Sequence, residues 1–113
     1  MKIYNKLVRD NIPVIISNAG KEPITYILDE ETYKAELVKK LHEEVAEFIQ
    51  DRTVEELADI LEVVYALAQC QNITPEKLEE LRMLKAAKNG AFKQRIFFRK
   101  SARLSNIVAL NQT

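Results

Sequence analysis

Leu57-Ala-Asp-Ile-Leu-Glu-Val-Val-Tyr-Ala-Leu-Ala68 decides the reading of this chain. Ala and Leu dominate it, both strong helix formers, and no Gly or Pro interrupts it. The predicted helix is apolar on nearly every side, which marks a buried helix. Its only charges are Asp59 and Glu62, and no Lys or Arg occurs between Arg52 and Lys77. A carboxylate withdrawn from water without a partner costs several kcal/mol or gives up its charge. The positive partner must therefore come from another segment or from a bound metal.

Outward from this stretch, Thr53-Val-Glu-Glu56 matches a capping box and opens the helix, which runs to about Gln71. A long helix from about Glu31 to Gln50 precedes it, with Leu37, Leu41, Val45 and Phe48 on one stripe. Thr74-Pro75 starts a third long helix that Asn89-Gly90 stops. Asp10 or Asn11 caps a short helix through Ile12-Pro13 to Asn18, ended by Gly20. Residues 24–28 and 95–98 read as short strands able to pair with each other. The expectation is an all-α fold: a bundle of three long helices plus a short N-terminal one, with that small two-strand pairing as an option. So few helices cannot surround one as apolar as 57–68, and Ala66, Ala68 and Cys70 allow close packing on several sides. Self-association would complete the bundle.

The 113 residues are enough for one domain with a core, taken as 1–100 with a tail at 101–113. Only two Gly and three Pro fit long helices. The start Met1-Lys-Ile-Tyr-Asn-Lys lacks the apolar run of a signal peptide, and no stretch has the length of a membrane span. The lone Cys70 excludes an intrachain disulfide and reads as a core thiol. A cytoplasmic protein that engages no membrane is expected.

A net charge of zero conceals segregation. Eight acids lie between Glu43 and Glu62 against one base, Arg52, whereas no acid follows Glu80 and eight bases do. Two mutually attractive solvated faces would explain this. So would an acidic cation site beside a basic strip, the combination that a metal-bound polyphosphate requires. The late basic run lacks the interleaved aromatics and motifs of a reader of nucleic-acid polymers. There is no glycine-rich phosphate loop.

Glu44 and Glu47, and likewise Glu56 and Asp59, are three residues apart on consecutive helices. Such pairs project from adjacent turns of one face, so each can aim two carboxylates at a common point. At about 100° per residue, Glu44 flanks the Leu37 stripe with Glu47 just beyond it. The short turn Asp51-Arg52-Thr53 predicts antiparallel helices, which would bring all four carboxylates together. Oxygen-only ligands suit Mg²⁺, or Mn²⁺. Duller roles exist for most of them. Glu56 serves the capping box, Glu44 can pair with Lys40 in a solvated helix contact, and Glu47 can be simply exposed. Asp59 fits no such role. Glu62 points away from Glu56, toward a second cation or a lysine of the third helix. His42 lacks any Cys or His companion and reads as a surface residue.

Glu43-Glu44-Val-Ala-Glu47 followed by Glu56-Leu-Ala-Asp59 resembles the EExxE…ExxD signature of the all-α nucleoside triphosphate pyrophosphatases, the MazG-like superfamily. Tyr4-Asn-Lys-Leu-Val-Arg-Asp10 with Ile12-Pro13 is similar to the opening of its phosphoribosyl-ATP pyrophosphohydrolase-like, or house-cleaning, branch. Glu55-Glu-Leu-Ala-Asp-Ile-Leu-Glu-Val63 and Lys85…Gly90-Ala-Phe92 extend the resemblance to roughly residues 3–98. Three features depart from the pattern. The eight residues between Glu47 and Glu56 are fewer than the superfamily's usual gap, Asn89-Gly-Ala-Phe92 stands where Arg-Gly-Gly-Phe is common, and the tail has no counterpart.

The resemblance implies a Mg²⁺-dependent enzyme, a homodimer or homotetramer, that cleaves a nucleotide between its α- and β-phosphates. It implies metal ligands at Glu44, Glu47, Glu56 and Asp59, proton-accepting roles for Glu47 or Glu43, and phosphate contacts from Lys6, Arg9, Lys85 and Arg95. Phe48 or Tyr65 would meet the base. The substrate expected is a non-canonical nucleoside triphosphate, with phosphoribosyl-ATP as an alternative. A non-catalytic helical oligomer that binds metal or nucleotide is the rival reading.

Overall fold

The computed structural model describes residues 2–103. Four helices follow one another: α1 (Ile12–Asn18), α2 (Glu30–Asp51), α3 (Val54–Cys70) and α4 (Pro75–Asn89). The all-helical class expected from the sequence is what the chain adopts. No strand occurs among the described residues, so the optional pairing of 24–28 with 95–98 is not formed. Ile24, Tyr26, Ile27, Ile96, Phe97 and Phe98 are all more than three-quarters exposed. Alternation over so few residues does not hold a strand without a stable ladder, and an isolated two-stranded ribbon is marginal.

The helix ends follow local chemistry. The Asp29 carboxylate accepts from Thr32 N at 2.7 Å to start α2, and Thr53 Oγ1 accepts from Glu56 N at 3.4 Å to start α3. Thr74 Oγ1 does the same for α4 with Lys77 N at 3.1 Å. Glu30 and Glu31 in α2, and Glu55 and Glu56 in α3, place negative charge at the positive end of each helix dipole. At the end of α1 the Lys21 N–H reaches Ile16 O and the Gly20 N–H reaches Ser17 O, a Schellman closure. This closure needs φ +86° at Gly20, a left-handed value that glycine adopts without Cβ strain. The start of α1 differs from expectation: Asn11 is the cap, but it is already helical and its side chain makes no capping bond.

By internal contacts the chain divides into two compact units, Met1–Glu80 and Leu81–Thr113. Of the tail, residues 104–113 lie outside the described residues. Within the first unit α2 and α3 form an antiparallel hairpin joined by Arg52 and Thr53, with Arg52 in the left-handed region at φ 57°. Glu44 meets Asp59 near the turn, while Tyr33 and Cys70 face each other at the far end. Leu37 and Val63 form the buried apolar centre.

Glu44 occupies the core stripe itself rather than its flank. It follows Leu37 by seven residues, two turns, so the two share one direction, whereas Val45 is turned outward and 38% exposed. Around α3 the apolar surface is only partly covered: Val54, Leu57 and Leu61 remain exposed. Among the described residues no helix is long and apolar enough to cross a membrane.

Candidate metal centre

Glu44 stands at the middle of two carboxylate groupings. In one, oxygens of Glu43, Glu44 and Glu47 lie within 4.8 Å of one another; in the other, oxygens of Glu44, Glu56 and Asp59 do so. The spacing that aims neighbouring turns of a helix at one point brings Glu43, Glu44 and Glu47 together on α2. The antiparallel hairpin supplies Glu56 and Asp59 from α3. The four expected ligands, and Glu43 with them, thus fall into two groupings that share Glu44 near the turn of the hairpin.

The Glu44 side chain is only 9% exposed. Its Oε1 lies 3.5 Å from Lys40 Nζ, and its buried Oε2 has no hydrogen-bond partner. Burial raises its pKa, reinforced by the Glu47 carboxylate and by Asp59, with Lys40 opposing them. Glu56 is also raised, by partial withdrawal from water and then by Glu47, Asp51 and Asp59. Like charges held close resist joint ionisation. A cation supplied to the cluster would relieve both effects at once.

Part of the negative charge is already met. Arg9 donates from its guanidinium to Asp59 Oδ1 at 2.7 Å across fifty residues of sequence. Lys6 Nζ lies 3.6 Å from Glu43 Oε1, and Lys40 Nζ donates to the same oxygen at 3.4 Å. The partner of Asp59 thus comes from another segment, one of the two sources its sequence context allows. Glu47 and Glu56 have no cationic partner among the described residues.

Lys40 is the residue whose part the sequence reading missed. It was expected in a solvated contact, yet its side chain is only 16% exposed and it bridges Glu43 and Glu44. The i,i+3 and i,i+4 spacings were visible; that this side of α2 is partly covered was not.

Lys85 lies on α4 and Arg95 in the segment that follows, both exposed and both in the second compact unit. Glu62 is exposed and outside both groupings, and His42 is exposed. A shallow cavity of about 200 Å³ opens at the far end of the hairpin, lined by Glu30, Tyr33, Ala66, Gln69 and Cys70. Tyr33 is its aromatic wall.

An all-oxygen set whose shared member, Glu44, is buried with one oxygen lacking a hydrogen-bond partner fits a hard divalent ion such as Mg²⁺ or Mn²⁺. Soft-metal chemistry does not fit, because the set contains no thiolate or imidazole. No protein-family model, curated protein or solved structure matches the chain.

Proposed function

We propose that the protein is a Mg²⁺-dependent nucleotide pyrophosphohydrolase that acts on a nucleoside triphosphate of non-canonical type. The observation that carries this reading is Glu44, a buried carboxylate that belongs to two carboxylate groupings and has one oxygen without a hydrogen-bond partner. An isolated charge in that position is costly. Demand for a divalent ion gives it a reason.

Glu44, Glu47, Glu56 and Asp59 hold the ion in this account. A bound Mg²⁺ would stabilise phosphate charge as a Lewis acid and would lower the pKa of water, supplying a nucleophile near neutral pH. Glu47, the exposed member of its grouping, accepts a proton from the attacking water, with Glu43 in support. The water oxygen bonds to the α-phosphorus, the bond from the α-phosphorus to the α,β-bridging oxygen breaks, and pyrophosphate departs with that oxygen. Lys6 and Arg9 neutralise phosphate charge through charge-assisted hydrogen bonds. For Lys85 and Arg95 a phosphate contact rests on the family resemblance alone.

The exposed Val54, Leu57 and Leu61 of α3 support self-association into a homodimer or homotetramer. A cytoplasmic location accords with this reading. Screening a panel of canonical and damaged nucleotides for pyrophosphate release, with and without Mg²⁺, tests the activity. Release that stops on chelation is the expected result.

The rival, a non-catalytic helical oligomer, draws support from the pairing of Asp59 with Arg9 and of Glu43 with Lys6. It predicts nucleotide binding without turnover, or no response to metal.

A further inference from the structure

Arg9 holds an oxygen that a divalent ion at the carboxylate cluster needs. Its guanidinium meets Asp59 Oδ1 at 2.7 Å, and Asp59 belongs with Glu44 and Glu56 to a grouping whose oxygens lie within 4.8 Å of one another. That grouping is more than a collection of surface acids. The Glu44 side chain within it is nine-tenths buried, beside the Glu47 carboxylate, and no cation or N–H donor reaches its second oxygen. A guanidinium retains its proton at any ordinary pH, so it cannot yield the oxygen by deprotonation. It can only move away or share.

Movement costs Arg9 little. Its side chain is 55% exposed, and it sits outside the helices, three residues before the start of α1. Ion pairs between partly exposed groups are weak in water. A divalent ion near the cluster would attract Asp59 and repel the guanidinium in the same stroke.

Resting on the cation-site reading above, we infer that Arg9 is the resting counter-ion of this site and a positioning residue for the phosphate. The divalent ion takes Asp59 from Arg9, and the released guanidinium then serves an incoming phosphate group. Metal binding therefore precedes and prepares phosphate binding. The cation that stabilises the empty cluster is the same one that later meets the phosphate.

Calorimetric titration of the full chain with Mn²⁺ alone tests this, using wild type, Arg9→Gln, Arg9→Lys and Asp59→Asn, each checked for helical content by circular dichroism. Arg9→Gln should bind Mn²⁺ about 1.5-fold to fivefold more tightly than wild type, because an exposed-pair competitor has been removed. Arg9→Lys, which keeps the charge and the same opportunity to pair, should fall between them. Titration of the Mn²⁺-loaded proteins with inorganic pyrophosphate should show the reverse order, with Arg9→Gln the weakest. If Arg9→Gln binds Mn²⁺ no better than wild type while Asp59→Asn loses it, the competition is refuted and the cation site stands. If wild type and Arg9→Gln both fail to bind Mn²⁺, the cation-site reading falls and takes this inference with it. Should Arg9→Gln not fold, a Mn²⁺ affinity of Arg9→Lys equal to wild type, with pyrophosphate affinity unchanged, overturns the proposal.

Discussion

Replacing Glu44 with leucine removes the one buried charged residue among those described and should stabilise the metal-free protein. Oε2 of Glu44 accepts no hydrogen bond, and Lys40 stands 3.5 Å from Oε1. An unsatisfied buried polar group costs about 1–3 kcal/mol. Lys40 retains Glu43 at 3.4 Å after the change, so little is orphaned in exchange. Leucine would extend the stripe that begins at Leu37, two turns earlier. The expected net gain is about 1–2 kcal/mol, in line with the replacement of buried charges by apolar residues of similar size. Urea unfolding followed by circular dichroism, in the presence of a chelator, measures it. An unchanged slope against urea would show that the gain is in stability rather than in the compactness of either state. The same variant should no longer bind Mn²⁺. A loss of 1 kcal/mol or more on Glu44→Leu would mean that the carboxylate is satisfied in the metal-free protein, and the reasoning from its free oxygen would be wrong.

The pH dependence carries the same signature. Burial holds the Glu44 pKa above its ordinary value of 4.5, so the folded protein binds this proton more tightly than the unfolded chain. Stability from this source is fully present below 4.5 and falls as pH rises through the folded value; Glu56 acts in the same direction. Subtracting the pH–stability curve of Glu44→Gln from that of wild type should isolate this fall, and a flat difference would contradict it. Added Mg²⁺ should stabilise wild type more at neutral pH than near pH 4.5, where it competes with protons for Glu44; thermal melts at the two pH values decide this. Leu37→Ala should cost about 2–4 kcal/mol in urea unfolding, because a 3% exposed side chain leaves a cavity. Leu57→Glu combined with Leu61→Glu should lower the mass seen by light scattering if α3 is covered by another copy, and an unchanged mass would exclude that face from assembly.

Much of what depends on neighbours in sequence was legible before the fold was known, the side-chain cap of α1 excepted. Thr53, Thr74, Gly20 and Gly90 mark helix ends through bonds that span a few residues, and they fall within one or two residues of the observed ends. The i,i+3 carboxylates converge because that spacing is geometric. What depends on tertiary burial was harder to read. Angular counting against the whole stripe set Glu44 at its flank, yet its spacing of seven residues from Leu37 puts the two in line, and Glu44 is buried with it. Nothing local joins Arg9 to Asp59, fifty residues apart; the absence of a nearby base showed only that a distant cation was needed. The apolar runs near 24–28 and 95–98 promised strands, but such runs show a demand for burial rather than the form it takes.

Crystals grown with Mn²⁺ and measured at the manganese absorption edge would test the shared ion most directly. An anomalous peak bonded to Glu44 together with Glu56 or Asp59, with Arg9 withdrawn from Asp59, is the expected result. Absence of a peak at saturating Mn²⁺, with Arg9 still holding Asp59, would leave the cluster as an internal ion-pair network and nothing more.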